Sequence, residues 1–186
     1  MVKMKKLIVL TAVLIIWASA HAAQPAVSGD AAYIQNLNRQ MHEFVNVERE
    51  KRGLKPLQRN RPLLLIALAH SRDMAKRNYL SHVTPEGLDP TARAKKAGFN
   101  VEKKMDKSTT RVGVGENLFQ GRKAVKENGV TKGYLEKHSV YAKEIVDGWM
   151  KSPSHRKNIL DKTYTTADYG TVISKDGTVT VTQLFF

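Results

Sequence analysis

Apolar residues recur every three or four positions from Tyr33 to about Arg52, at Ile34, Leu37, Met41, Phe44 and Val45. That is the period of a helix burying one face, and Gly53 supplies its stop. A second helical stretch runs from about Pro62 to Tyr79, with Pro62 tolerated in the first turn and Leu65, Leu68, Met74 and Ala75 among its apolar positions. Asp89-Pro90 reads as an N-cap followed by the first residue of a short helix that Gly98 ends. Residues 100–111 are polar and charged, whereas small and apolar residues alternate from Val112 to Gln120, so Asn117 to Gln120 is expected as a strand. Residues 121–134 hold three glycines among charges and read as a loop. Ala142, Ile145, Val146 and Trp149 then share one face of a helix that Pro153 ends or kinks. The tail alternates as strands do, Tyr169 to Ser174 and Val179 to Phe186, with Asp176-Gly177 between them as a hairpin turn. The expected class is α+β, with helices on both faces of a small, mostly antiparallel sheet that ends in a C-terminal β-hairpin.

The first residues follow a different pattern. Lys3, Lys5 and Lys6 precede the apolar run Leu7 to Trp17, which is too short for a comfortable membrane span, and Ala20-His21-Ala22 offers a cleavage site. Residues 1–22 therefore read as a signal peptide, with Ala18-Ser19-Ala20 a second cleavage candidate. Residues 23–32 read as a short tether, and residues 33–186 as a single domain. The expected location is secreted or periplasmic, with no transmembrane segment in the mature chain.

Composition narrows the chemistry. The 186 residues include no cysteine, which removes disulfide frameworks, thiolate metal sites and thiol catalysis, so any metal must sit on His, Asp or Glu. The formal net charge of +14 falls to +11 once the three lysines of the signal peptide are removed. A basic exported domain points to an anionic envelope component or lipid as partner rather than nucleic acid. The P-loop, G-x-G-x-x-G, G-x-S-x-G and EF-hand patterns are absent, and Asn46 stands where H-E-x-x-H would need its second His.

Among the histidines, His42, His70 and His138 read as surface or capping residues. His82 stands between a helix end and a Pro/Gly turn, a place where scaffolded loops present chemistry. His155 follows Ser-Pro-Ser, where Ser152 or Ser154 caps a new short helix running through Asn158 and Leu160. Glu116 lies between Gly115 and Asn117 at a strand entrance, tying up loop amides or facing a cleft.

Six stretches in order, NVEREKRGLKPL, ALAHSRDMAKRNYLSHVTPEG, TARAKKAGF, VGENLFQG, GWMKSPSHRKNIL and VTVTQLFF, resemble the bacterial branch of the CAP superfamily. That superfamily comprises cysteine-rich secretory proteins, antigen 5 and plant pathogenesis-related proteins. The resemblance implies a three-layer α-β-α sandwich whose central cleft gathers two His and two Glu. By motif these are His82, Glu116 and His155, while Ser152, three residues after Trp149, stands where the longer eukaryotic relatives have the second Glu. Glu86, Glu144, Asp147 and Asn117 are the supporting candidates. The span from Glu116 to Trp149 is also long for a compact relative, which marks an insertion at about 122–138 beside the cleft.

Two imidazoles and a carboxylate can hold a divalent ion such as Zn²⁺, with His82 and His155 the metal-ligand candidates. No cofactor is required by this reading. Members of the superfamily are associated with metal, sterol or lipid, glycan and protein binding, and no nucleophile with an adjacent base is evident in the sequence. The leading expectation is an exported domain whose cleft binds a ligand: a divalent metal, lipid, glycan or peptide. The alternative is a metal-assisted hydrolase acting on peptides or cell-wall material.

Overall fold

The computed structural model describes residues 29–122, 124–128, 130–134 and 137–186, and, for the segments 124–127 and 130–134, the backbone alone. The expected signal peptide and most of the tether lie outside these residues.

Helix α1, Gly29–Glu50, begins inside the stretch expected as tether. Asp30 in its first turn complements the positive helix end, and Ala31-Ala32 are good helix formers, so local propensity extends the helix beyond the periodic apolar stripe. Gly53 adopts φ 69° just past its C-terminus, where the amide of Leu54 returns to Arg49 O at 3.1 Å. Helix α2, Arg61–Arg77, is capped by Asn60, whose side chain accepts from Leu63 N, and it ends at left-handed Asn78. Its buried face is Leu63, Ile66, Ala67, His70, Ser71 and Met74, leaving Leu65 54% exposed. Helix α3, Pro90–Lys96, starts as its sequence indicates, with the Asp89 carboxylate accepting from Ala92 N at 2.7 Å.

Strands β1, Glu102–Lys104, and β2, Thr110–Val112, pair antiparallel where polar composition gave no strand signal. Asp106 closes their turn by accepting from the amides of Ser108 and Thr109. Strand β3 covers Gly115–Arg122. The stretch expected as a loop instead forms a second antiparallel hairpin, β4, Ala124–Glu127, with β5, Val130–Tyr134. β-branched residues at Val125, Val130 and Thr131 suit strands, and the backbone pairing outweighs the glycines. Helix α4, His138–Lys151, and helix α5, Pro153–Ile159, meet at Ser152, and Pro153 occupies the first turn of α5. Ser152 makes no side-chain capping bond; its hydroxyl lies 3.3 Å from that of Ser154. Strands β6, Ala167–Ile173, and β7, Thr178–Phe185, form the closing hairpin, with Gly177 at φ 89° in its turn.

The central sheet has the order β3-β7-β6 and is antiparallel throughout. Strand β7 is central, and its alternating side chains serve two layers. Val179, Val181 and Phe185 pack with Leu37, Met41 and Val45 of α1 and Tyr141, Ile145 and Trp149 of α4. On the opposite face Leu184 joins Leu63, Ile66 and Ala67 of α2 and Ala94 of α3. The three-layer α-β-α sandwich thus follows from period-2 strands buried on both faces. At Gly170 the approach of α2 to β6 is so close that a Cβ would run into the backbone of Ala67 and Leu68. Across that seam Ser71 Oγ donates to Gly170 O at 2.7 Å and lies 2.8 Å from Thr182 Oγ1. Arg49, 1% exposed, ties α1 to the end of α5 and the chain that follows by donating to the carbonyls of Ile159, Asp161 and Tyr164.

Candidate functional site

The loop from Tyr79 to Asp89 carries His82, and several side chains hold its backbone. His70 Nε2 lies 3.0 Å from Ser81 O, Thr84 Oγ1 accepts from Leu88 N at 3.2 Å, and Arg77 pairs with Glu86. Arg93 of α3 donates through Nη1 to His82 O at 2.6 Å and to Leu88 O at 3.1 Å. His70 is therefore not the surface residue its polar neighbours suggested. It is 2% exposed, and burial lowers its pKa below the ordinary histidine value. His42 is partly buried, edge-on to Tyr169, with a pKa likewise lowered by burial, and His138 opens α4 edge-on to Tyr33.

Glu116 enters from the start of β3 with its side chain 1% exposed. Oε1 lies 2.7 Å from His82 Nδ1, and Oε2 takes Nη2 of Arg93. An ionised carboxylate only accepts, so His82 Nδ1 is the donor and, in the neutral ring, Nε2 carries the free lone pair. The His82 side chain is half exposed, which makes that lone pair available to a ligand. A buried carboxylate here joins a loop residue 34 positions before it to a helix residue 23 positions before it.

Helix α5 is clamped onto β3 by amides. Asn158 Nδ2 donates to Glu116 O and to Asn117 Oδ1, both at 2.9 Å, while Asn117 Nδ2 donates to His155 O at 3.3 Å and to Gln183 Oε1 at 3.2 Å. His155 thereby comes within electrostatic reach of His82. Partial burial first, and the charge of a protonated His82 second, hold its pKa below the ordinary value, which favours the neutral ring.

Three of the supporting acids are engaged or placed elsewhere. Glu86 is bound by Arg77, which holds its carboxyl down at about 2. Asp147 takes Lys143 at 2.7 Å on the outer side of α4, and Glu144 is exposed on the same helix. Ser152, at the junction of α4 and α5, supplies a hydroxyl and no carboxylate. Arg93 is the residue that sequence reading passed over. The hint was local: it lies one turn into a helix whose cap and first residue, Asp89-Pro90, fix the direction in which the helix leaves the His82 loop.

A three-ligand metal site does not fit this arrangement. Both Glu116 oxygens are committed, one of them to a guanidinium, and among the described residues no group of three or more His, Asp or Glu is disposed to hold an ion. What the cluster does offer is a carboxylate-oriented imidazole, a neutral second imidazole and a buried cation behind them. No serine, threonine or tyrosine hydroxyl hydrogen-bonds to either imidazole among the described residues.

The α-β-α sandwich, with a loop histidine bound to a strand glutamate and a second histidine on a short helix, agrees with what the ordered motifs imply. The profile of the cysteine-rich secretory protein (CAP) family matches residues 42–185, and the chain belongs to that family. It is 33% identical over 132 residues, 71% of its length, to the uncharacterized protein YkwD of Bacillus subtilis, and spans 41% of that protein. It is 29% identical to the uncharacterized membrane protein YlbC of the same organism over 68% of its length, spanning 29% of that protein. The chain thus covers less than half of the curated relatives it matches. Solved structures share the fold. An outer surface protein of Borrelia burgdorferi superposes with a TM-score of 0.61 at 15% identity, covering 81% of this chain and 91% of that one. An extracellular SCP-domain protein of Bacillus anthracis gives 0.59 at 22% identity, over 84% and 42% of the two chains.

Proposed function

We propose that the protein is exported, secreted or periplasmic after cleavage behind Ala22, and acts as a binding domain whose cleft at His82, Glu116 and His155 takes up a hydrogen-bonding glycan or peptide. The observation that carries this reading is the division of Glu116 between His82 Nδ1 and Arg93. It favours the tautomer protonated at Nδ1 on a half-exposed ring, which leaves Nε2 as the acceptor for a ligand hydroxyl or amide. His155, within electrostatic reach of that ring, adds a second imidazole. Histidine ring resonances followed during titration with peptidoglycan fragments or short peptides test it. The His82 and His155 signals should move in step and saturate, and His82→Ala should abolish saturation. Unmoved signals with every ligand of both classes would refute it.

The same free Nε2 is favourable for general-base hydrolysis of peptides or cell-wall material, the second reading. Product release followed by mass spectrometry, present in the wild type and lost in His82→Ala, would establish it. The basic mature chain is further expected to be retained on anionic envelope polymer, with retention falling as salt rises. Salt-independent retention would count against that partner.

A further inference from the structure

His82 sits between two gripped carbonyls. The carbonyl before it, Ser81 O, lies 3.0 Å from Nε2 of His70 in α2, and its own carbonyl accepts from Nη1 of Arg93 in α3 at 2.6 Å. Both gripping side chains are buried, His70 at 2% exposure and the Arg93 side chain at 9%. Holding the peptide groups on both sides of one Cα sets that residue's two soft dihedrals, and with them the direction in which its side chain leaves the loop. The two grips differ in one respect: a guanidinium keeps its charge through the ordinary pH range, whereas an imidazole titrates within it.

A carbonyl only accepts, so His70 Nε2 carries the proton of its bond to Ser81 O and the neutral ring leaves Nδ1 bare. Nδ1 is buried, and no atom of the described residues hydrogen-bonds to it. A second proton would create an N–H without an acceptor, on a charged ring away from water. The groups that face the ring do not offset this cost. Asp73 of α2 is taken up by Arg77 and the Tyr79 hydroxyl, and Glu116 of β3 by His82 and Arg93. Arg93 of α3 opposes a further positive charge, and Tyr79 of the loop sets its ring edge-on, with centroids 6.2 Å apart. Burial accordingly holds the pKa of His70 below the ordinary value. The cover over the ring is the loop itself, through Tyr79 and Ser81.

We propose that His70 is a positioning residue for His82, holding the loop closed while its ring is neutral and releasing it when the ring takes up a proton. The inference rests on the cleft reading for its functional meaning: the cleft is assembled at neutral pH and loosened in mildly acidic surroundings. A ring that stays neutral when covered and titrates at about 6.5 when the loop lifts gives the open loop up to about a tenfold gain in population between pH 7.5 and 5.5.

Amide hydrogen exchange of the purified protein tests this without any ligand. The reporters are the amides of Thr84 and Leu88, which bond to Leu88 O and Thr84 Oγ1, and the reference is the amides of the central strand β7. Corrected for intrinsic exchange and referred to β7, loop protection in the wild type should fall about three- to tenfold from pH 7.5 to 5.5. His70→Gln places an amide Nε2 as many bonds from the backbone as the ring nitrogen it replaces, so it should keep the loop protected and remove that fall. Titration of His82 is common to both proteins, and the difference between them isolates His70. His70→Leu fills the space without a donor. Its loop protection at pH 7.5 should be lower by about fivefold or more, and the ring nitrogen shifts of His82 should show loss of the Nδ1-protonated form. In the wild type, the ring nitrogen shifts of His70 should report protonation in step with the loss of loop protection, a measurement that depends on no variant. Equal pH dependence in wild type and His70→Gln would overturn the proposal. So would unchanged loop protection in His70→Leu, or a His70 ring that titrates while the loop amides stay protected. A failure of glycan or peptide binding would sink the cleft reading alone and leave these exchange results standing.

Discussion

Replacing Glu116 by Gln preserves the size of the side chain while removing the charge that holds His82 and Arg93. The side chains of Glu116 and Arg93 are 1% and 9% exposed, so the substitution leaves a buried guanidinium without its anion. Removing one member of a buried pair costs about 3–5 kcal/mol. Arg93 retains the carbonyls of His82 and Leu88 through Nη1, which places the expected loss at the lower end, about 3 kcal/mol. The His82 contact adds little, because that ring is half exposed and its charge is screened. For a domain of this size about 3 kcal/mol corresponds to a fall in Tm of about 6–12 °C. Thermal and urea unfolding of wild type, Glu116→Gln, Arg93→Met and the double variant supplies the measurement. The double variant should be less destabilised than the sum of the singles by about 1–3 kcal/mol, since it strands no charge. A loss below about 1 kcal/mol for Glu116→Gln, with an additive double variant, would show that the pair does not organise the site.

Gly170→Ala inserts a methyl group into the backbone of α2 at Ala67 and Leu68 and should destabilise by about 3 kcal/mol or more, read as a lowered urea midpoint; a change under about 1 kcal/mol would mean that α2 yields easily. His42 and His70 both have folded pKa values lowered by burial, so the unfolded chain binds more protons between the folded values and about 6.5. Stability from these groups is complete above about pH 6.5 and is lost as pH falls through the folded values, so the urea midpoint should be lower at pH 5.5 than at pH 7.5, and an equal or higher midpoint would refute this. Zn²⁺ titration should show weak, reversible binding that His82→Ala and His155→Ala each abolish, because this cluster offers two imidazoles while both Glu116 oxygens are taken; tight stoichiometric zinc that survives chelation would mean that Glu116 leaves Arg93 to become a ligand.

Much of the fold could be read locally because the forces that set it are local. The cap at Asp89, the stop at Gly53 and the turn at Asp176-Gly177 each depend on a few neighbouring residues, and each appears in the structure where its sequence places it. The alternation along Val179, Val181 and Phe185 likewise announces a strand with a buried face. Where competing local signals were weak, pairing decided. The hairpins β1–β2 and β4–β5 form from polar or glycine-bearing stretches, because backbone hydrogen bonds do not depend on apolar side chains. At the start of α1, helix propensity carries the backbone into residues whose small size suggested a tether.

The order of motifs was enough to single out His82, Glu116 and His155, but not the partners of each. Glu116 could have gone to loop amides or to a cleft; it goes to His82 and Arg93 because the β3-β7 pairing and the exit of α3 bring three distant segments to one point. Glu86 and Asp147 were equally good carboxylates on paper, yet each lies nearer a cation of its own, Arg77 or Lys143, and is neutralised there. His70 reads as a surface residue among polar neighbours, and it is the return of Tyr79 and Ser81 against α2 that covers it. Sequence by itself determined the cap at Asp89, the stop at Gly53, the closing turn and the residue types available for chemistry, since these follow from interactions between near neighbours. Which charges meet, which are buried and which remain free was decided by tertiary structure, because those interactions fall steeply with distances that only the folded chain defines.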